Sequence, residues 1–146
     1  METDNILGLM VAHHKFLEAL FATFKEKVDS KNADALAILV NLRWEVKKHF
    51  FAEESSIFDL PQIKAMGLLT VVTQLKAEHD TMLEELESFE NNFEAVNIIS
   101  LENFHNLLES HRKIEELNLY PRLDKEISIG QKAQIILHIN EIPIIK

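Results

Sequence analysis

The sequence predicts an all-α protein, an up-down-up-down four-helix bundle with a short C-terminal fifth helix. Hydrophobic residues make up 47% of the 146 residues, while glycine and proline occur only three times each. That composition favours helices and supplies few of the turns that an all-β chain needs. Four long stretches also repeat apolar residues at intervals of three and four. The length suits one sizeable core, so we expect a single domain over residues 1–146.

Polar residues and a proline mark the ends of the first two helices. The short polar side chains of Asp29–Asn32 suit a turn and the N-cap of a following helix. Pro61 is tolerated in the first turn of a helix and not in its interior, so it ends one helix or starts the next. We therefore expect helices over Asn5–Val28 and Ala33–Phe58.

The third and fourth helices are bounded in the same way. The third is expected from Pro61 to Phe93, with an irregularity at Gly67. Ser100 suits the N-cap of the fourth helix, which we expect to reach Tyr120 before Pro121 closes it.

The C-terminal part is shorter. Ser128 and Gln131 have the spacing of a capping box, which predicts an amphipathic fifth helix over Gln131–Asn140. Residues 142–146 form an apolar tail, which we expect to dock on the bundle or on a partner chain. The second alternative leaves a homodimer open.

Each long helix carries a histidine on its apolar stripe, and in two helices a glutamate follows one turn later. These polar groups should face the core. Burying an unpartnered polar group costs about 2–7 kcal/mol, and a carboxylate more, against a domain stability of about 5–15 kcal/mol. A shared cation would satisfy the whole set, so these are the candidate metal ligands: His14, His49, Glu53, His79, His111 and Glu115.

The ligand pattern occurs twice along the chain. His49–Phe58 and His111–Tyr120 both read His-x-x-x-Glu-Glu-x-x-aliphatic-aromatic. Residues four apart share one helix face, so each copy can aim an imidazole and a carboxylate at one point. The first and third helices also match each other, at a similar offset of about 62 to 65 residues. This repeat predicts a pseudo-twofold site for two metal ions, bridged by Glu53 and Glu115.

These motifs resemble the hemerythrin-like family, the His-His-Glu cation-binding domains, over essentially the first 121 residues. The resemblance implies a four-helix bundle with a non-haem di-iron centre in its core. It also assigns the ligands helix by helix, in chain order: His14, then His49 with Glu53, then His79, then His111 with Glu115.

The third helix departs from the oxygen-carrying members of that family. They add a histidine one turn from the third-helix ligand, whereas Leu75 and Leu83 flank His79 here. The resemblance implies two iron ions, joined by an oxo or hydroxo bridge. With four imidazoles and two bridging carboxylates, about two coordination places stay open for dioxygen, nitric oxide or a peroxide. Reversible oxygen carriage becomes less expected than sensing, iron handling or redox chemistry.

One ligand position is ambiguous, because His13 and His14 both lie on the broad apolar face of the first helix. The match between the first and third helices aligns His14 with His79. It aligns His13 with Glu78, which favours His14 as the ligand and leaves His13 beside the site or exposed.

Other polar residues near the pattern have less defined roles. Glu54 and Glu116 are expected to be solvated neighbours of the ligands, or else to accept a hydrogen bond from a ligand imidazole. His105 is expected at the rim of the site, and His138 has no evident partner. Tyr120 is expected in the core, with the mouth of the bundle as an alternative.

Composition excludes several other kinds of function. The chain has no cysteine, which excludes disulfides, thiolate zinc sites and iron–sulfur clusters. Its net charge of −9 argues against binding to nucleic acid or to an anionic membrane. No stretch of eighteen residues lacks a charge, and the N-terminus lacks the basic region of a signal peptide. We therefore expect a cytoplasmic protein.

The function expected from these residues is that of a non-haem di-iron protein that binds or senses dioxygen, nitric oxide or peroxide, or that handles iron. An enzyme at the same centre, with peroxidase-like or oxidase-like activity or iron donation for repair, is the alternative. A histidine-phosphotransfer bundle is disfavoured, since it needs an exposed histidine with basic and glycine neighbours.

Overall fold

A computed structural model describes residues 5–141, and these residues form helices without any strand. The seven α-helices are α1 (Ile6–Asp29), α2 (Ala35–Glu53), α3 (Gln62–Ala65), α4 (Leu69–Asn91), α5 (Ile98–Ile114), α6 (Tyr120–Glu126) and α7 (Ile129–Glu141). Two π-helical segments, Glu54–Phe58 and Glu115–Leu119, continue α2 and α5, and a 3₁₀ turn spans Phe93–Ala95.

The four long helices form a closed bundle. Helix α1 packs against α2, α2 against α4, α4 against α5, and α5 against α1. Short connections make consecutive long helices antiparallel neighbours. Helix α7 contacts α1, α2 and the first π-helical segment, so it lies across one end of the bundle. The predicted fold class, a bundle with a short fifth helix, is confirmed.

The four predicted apolar stripes are buried, and their polar members divide the core into two parts. One cluster lies at the α6 and α7 end and includes Met10, Leu75 and Tyr120. The other lies at the opposite end and includes Leu17 and Met82. The stripe histidines occupy the layer between the two clusters, because each one sits between a member of the first and a member of the second along its helix.

The two π-helical segments explain how each repeated motif turns two different side chains inward. In a π turn, residues five apart come into register. Glu53 and Phe58 are five positions apart, as are Glu115 and Tyr120, and all four side chains are buried. A continuous α-helix would turn the aromatic residue away from the carboxylate's face.

The third predicted helix is divided at Gly67. The Leu68 amide donates to the Ile63 carbonyl at 2.9 Å, and the Gly67 amide donates to the Lys64 carbonyl at 3.1 Å. This is the Schellman pair that ends a helix. It needs a left-handed residue, which Gly67 supplies with φ of +71°. Short α3 therefore ends there, and α4 begins at Leu69.

The fourth helix differs from its prediction at both ends. Its N-cap is Asn97, and Ser100 is the reciprocal partner three residues later in a complete capping box. Helical structure does not end at Pro121. It lies in the first turn of α6, where a missing amide hydrogen costs no hydrogen bond.

Half of the capping box predicted for α7 forms. The Gln131 amide donates to Ser128 Oγ at 3.2 Å, while the Gln131 side chain accepts a hydrogen bond from Gln62 instead. The tail at residues 142–146 lies outside the described residues, so its docking stays a prediction. Among the helices described, α1 alone is long and apolar enough to span a membrane, a composition that a helix lining a bundle core shares.

Candidate metal centre

Four predicted ligands meet in the polar layer between α2, α4 and α5. The His79 Nε2 atom lies 2.9 Å from Glu53 Oε1, and His111 Nε2 lies 3.0 Å from Glu115 Oε2. The two Nε2 atoms are 3.1 Å apart. Each residue offers one donor atom within 4.8 Å of the others, and all four side chains are buried. We call them the four-donor group.

A second group shares Glu115 with the first. It consists of His14, His49 and Glu115, again with donor atoms within 4.8 Å of one another. The His14 Nε2 atom lies 3.1 Å from Glu115 Oε1, so the two oxygens of Glu115 face different groups. We call this the three-donor group. It contains His14 and not His13.

In each donor group, both histidines come from the same helical hairpin, but the glutamates are not divided in that way. His14 and His49 come from the first hairpin, but their carboxylate is Glu115 of the second. The Glu53 carboxylate of the first hairpin lies instead beside His79. Glu115 thus links both groups, whereas the structure places Glu53 in the four-donor group alone. This crossing ties the two hairpins together at the layer where the core is interrupted.

The carboxylate oxygens in this layer suit a cation. Glu53 Oε1 and both oxygens of Glu115 are buried and accept no hydrogen bond from the described part of the chain. Imidazole nitrogens lie 2.9–3.1 Å away, but without the alignment of a hydrogen bond. Ligand atoms about 2.1 Å from one ion and at right angles to each other are about 3.0 Å apart. The spacing therefore fits donors that converge on shared ions.

Every ligand imidazole is held through its Nδ1 atom, which leaves Nε2 for the centre. Such partners orient a metal-binding imidazole and raise its basicity. The four Nδ1 contacts are His14 to Glu116 at 2.6 Å, His79 to Glu54 at 2.8 Å, His111 to Glu78 at 2.8 Å and His49 to His13 Nδ1 at 3.2 Å.

These contacts decide between the alternatives left by the sequence. Glu54 and Glu116 accept hydrogen bonds from ligand imidazoles and are only partly exposed. Sequence reasoning missed Glu78 as a partner of His111. Its alignment with His13 in the repeat could have predicted this contact. Each of the two residues directly precedes one ligand histidine and contacts the other ligand histidine of the same hairpin.

Aromatic side chains close the centre off from water. Phe50 stacks on His79 with ring centroids 3.7 Å apart, and Phe58 stacks at 5.3 Å. Tyr120 is fully buried, so it does not line the bundle mouth, and its hydroxyl donates a hydrogen bond to Glu53. The other half of the repeat has Phe58 in that place, without a hydroxyl.

Two ligand imidazoles have a strongly raised pKa beside the buried carboxylates. Burial lowers the pKa of His14, but Glu115 and Glu116 outweigh it and raise this pKa to about 9. Burial likewise lowers the pKa of His79, but Glu115 and Glu53 raise it to about 10. Metal binding would displace both protons, and the cations would then supply the positive charge beside the carboxylates.

The two central carboxyls behave differently from each other. Burial and the nearby Glu115 charge raise the pKa of Glu53 to about 7. Burial opposes ionisation of Glu115 too, but the polar side chains packed around it, Glu53 and His111 foremost, hold its pKa well below the ordinary value. Burial and the His14 charge lower the pKa of His49 well below its usual range. Glu115 is thus the permanently charged link between the groups.

A surface pocket of about 410 Å³ borders the three-donor group. It lies between α1, α2 and α7, and His13 and His49 are part of its wall together with Phe16, Lys48 and Ile139. A second surface pocket, of about 310 Å³, is lined by His14 and Glu116. Both pockets would give small molecules from solvent access to the three-donor group.

Two remaining histidines lie outside the centre. His105 is at the rim as expected, stacked on Phe21 with ring centroids 5.3 Å apart and close to Glu18 and Glu109. Arg112 lies 2.7 Å from Glu109, so this outer group already has a cation. His138 has a partner after all, because its Nδ1 atom contacts the Ser56 hydroxyl.

The sequence also matches a family. The description of that family is the hemerythrin HHE cation binding domain, and the match covers residues 5–129. The chain belongs to this family. No curated protein and no solved structure matches the chain significantly.

As a hemerythrin HHE domain, the chain binds metal, and iron is the ion that membership implies. The match includes the six predicted ligands and the two π-helical segments. It ends at Ile129, the first residue of α7. Helix α7 and its part of the pocket wall therefore lie essentially beyond the family match.

Proposed function

We propose that this hemerythrin domain is a non-haem di-iron protein that binds dioxygen, nitric oxide or a peroxide at its centre. The observation that carries the proposal is the pair of donor groups joined through Glu115, whose two buried oxygens lack hydrogen bonds. One ion per group would use every unsatisfied donor. Two irons held there would together be able to supply two electrons to a bound small molecule.

Donor chemistry supports iron. Nitrogen and oxygen ligands alone suit iron, manganese or zinc. The three-donor group has two imidazoles and one carboxylate, the set that open non-haem iron sites use. With three protein donors, an ion held there would have places left for a small ligand, and the neighbouring pocket would give that ligand access.

The protein's own residues set up the site for this role. Glu54, Glu78 and Glu116 orient three imidazoles, and Phe50 and Phe58 exclude water from the His79 side. His14 and His79 hold the protons that metal uptake would release. The chain thus supplies a site that is shielded from water around His79 and accessible to solvent near His49.

Metal analysis with absorption spectra, recorded before and after reduction, tests the proposal. We expect about two irons per chain and a spectrum that changes when nitric oxide or dioxygen is added. His49→Ala and Glu115→Ala should lower the iron content. A folded, iron-exposed protein without iron, or unchanged iron in both variants, would refute it.

An enzyme at the same centre is the second candidate, because the pocket beside His49 exceeds the size of a diatomic ligand. Its volume of about 410 Å³ falls within the usual range of about 300–1,000 Å³ for small-molecule sites. Stopped-flow mixing of the reduced protein with oxygen or peroxide separates the two. A stable adduct favours binding, while many rapid turnovers favour catalysis.

A further inference from the structure

The two halves of the centre are not equal, although the sequence repeat is nearly so. The four-donor group has two imidazoles and two carboxylates, whereas the three-donor group has two imidazoles and one carboxylate. The glutamate that would complete the symmetry is Glu53. Its second oxygen accepts the Tyr120 hydrogen bond, and its first lies beside His79.

The second difference lies behind the imidazoles. In the four-donor group, Glu54 and Glu78 place a carboxylate on the Nδ1 atom of both histidines. In the three-donor group, Glu116 does so for His14, but His49 meets an imidazole, that of His13. His13 stands where the repeat has Glu78, so one residue accounts for this asymmetry.

The exchange of a carboxylate for an imidazole matters for metal affinity. An anionic partner on Nδ1 pulls the ring proton and makes Nε2 a stronger donor, and loss of such a partner typically weakens metal binding about 10–100-fold. Lys48, which lines the same pocket as His13 and His49, is paired with Glu45 at 2.8 Å and adds little net charge on that side. The imidazole behind His49 is therefore what opposes a cation in the three-donor group.

We propose that the centre loads in two steps, tightly at the His79–His111 position and then weakly at the His14–His49 position, and that His13 sets the size of this difference. This inference rests on the proposed metal function. His13 acts as a positioning residue, since it would reach the ion only through His49. The weakly held ion lies on the side of the pocket, where solvent and small ligands reach it.

A titration of the metal-free full chain with Co²⁺, followed by absorption and by calorimetry, tests the proposal. Co²⁺ reports its coordination by colour and needs no reducing conditions. We expect two steps whose dissociation constants differ by at least about tenfold. His49→Ala should remove the weak step and spare the tight one, and His111→Ala should do the reverse.

The substitutions His13→Glu and His13→Gln form a matched pair that differs in charge and not in size. Glutamate supplies the missing carboxylate, so it should tighten the weak step by roughly 10-fold or more, while glutamine should leave two unequal steps. Glu78→His places the imidazole on the other side and should weaken the tight step by a similar factor. Thermal unfolding of each metal-free variant checks that it folds.

The outcomes separate this inference from the proposed function. Two equal steps, or a weak step that His13→Glu does not tighten in a folded variant, would overturn the unequal loading and leave a two-metal centre standing. If His13→Glu does not fold, the comparison between Glu78→His and Glu78→Gln decides, since an unchanged tight step in both would overturn it. A chain that binds no Co²⁺ and no iron refutes both.

Discussion

Glu115 and His14, which lie far apart in the sequence, bring Oε1 and Nε2 to within 3.1 Å of each other in the middle of the bundle. The other oxygen of Glu115 lies 3.0 Å from His111 Nε2. One side chain therefore faces both donor groups. This shared position makes Glu115 the residue on which the whole centre depends.

Substitution of Glu115 should affect both of the proposed metal positions, whereas substitution of Glu53 should affect one directly. We expect Glu115→Gln to weaken both binding steps by at least about 10–100-fold, since even loss of an outer partner has that cost. Glu53→Gln should weaken mainly the step at His79 and His111. Iron per chain after dialysis measures both, with exposed Glu84→Gln as the control. Equal losses from the two variants would contradict the shared role of Glu115.

The metal-free protein should lose stability as the pH rises. The pKa of His14 is raised from 6.5 to about 9 and that of His79 to about 10. A raised folded-state pKa contributes stability that is complete below pH 6.5 and disappears as the pH passes the folded value. Urea unfolding of the chelator-treated protein at pH 6.5, 8 and 9.5 should give a falling free energy of unfolding.

The metal-loaded protein is the control for that series. Metal binding replaces the imidazole protons, so the loaded protein should not lose stability over the same interval. A constant or rising stability of the metal-free protein would show that His14 and His79 do not hold extra protons in the folded state.

Removal of the Tyr120 hydroxyl should destabilise the metal-free protein. Tyr120 donates to the buried Glu53 carboxyl, and hydrogen bonds to charged groups contribute about 1.5–3 kcal/mol. We expect Tyr120→Phe to lower the free energy of unfolding by about that amount at a pH above about 7, where Glu53 is ionised. Phe58, at the matching position of the repeat, indicates that the ring alone fits such a place. If the free energy of unfolding in urea does not change, the hydrogen bond between Tyr120 and Glu53 makes no net contribution to stability.

Two glycines offer a matched test of backbone conformation. Gly67 has φ of +71°, and a Cβ added there would meet no atom within 4 Å. Gly67→Ala should therefore cost about 1–2 kcal/mol through the left-handed backbone alone. Gly130, in the first turn of α7, has equally open space and no positive φ. Gly130→Ala should therefore leave the free energy of unfolding unchanged or raise it by about 0.4–1 kcal/mol. Thermal unfolding compares them, and equal effects would contradict the conformational argument.

The buried stripes were predictable because the apolar residues in each follow the period of an α-helix. Each ligand lies on an apolar helix face, so burial at His14, His49, His79 and His111 follows from spacing alone. Helix ends were less predictable. An irregularity at Gly67 was predicted, but the full division into two helices there and the continuation past Pro121 depend on local hydrogen bonds and on π turns, which apolar spacing does not report.

The sequence by itself determined the all-α bundle, the buried ligand stripes and the twofold repeat, since all three follow from residue spacing along single helices. Only the tertiary structure decided which donors meet. Glu115 lies beside His14 of the other hairpin, and Tyr120 donates a hydrogen bond to one oxygen of Glu53. Glu78 contacts the Nδ1 atom of His111, whereas His13 contacts that of His49. Such contacts depend on the rotation and height of one helix against another, which no spacing within a helix fixes.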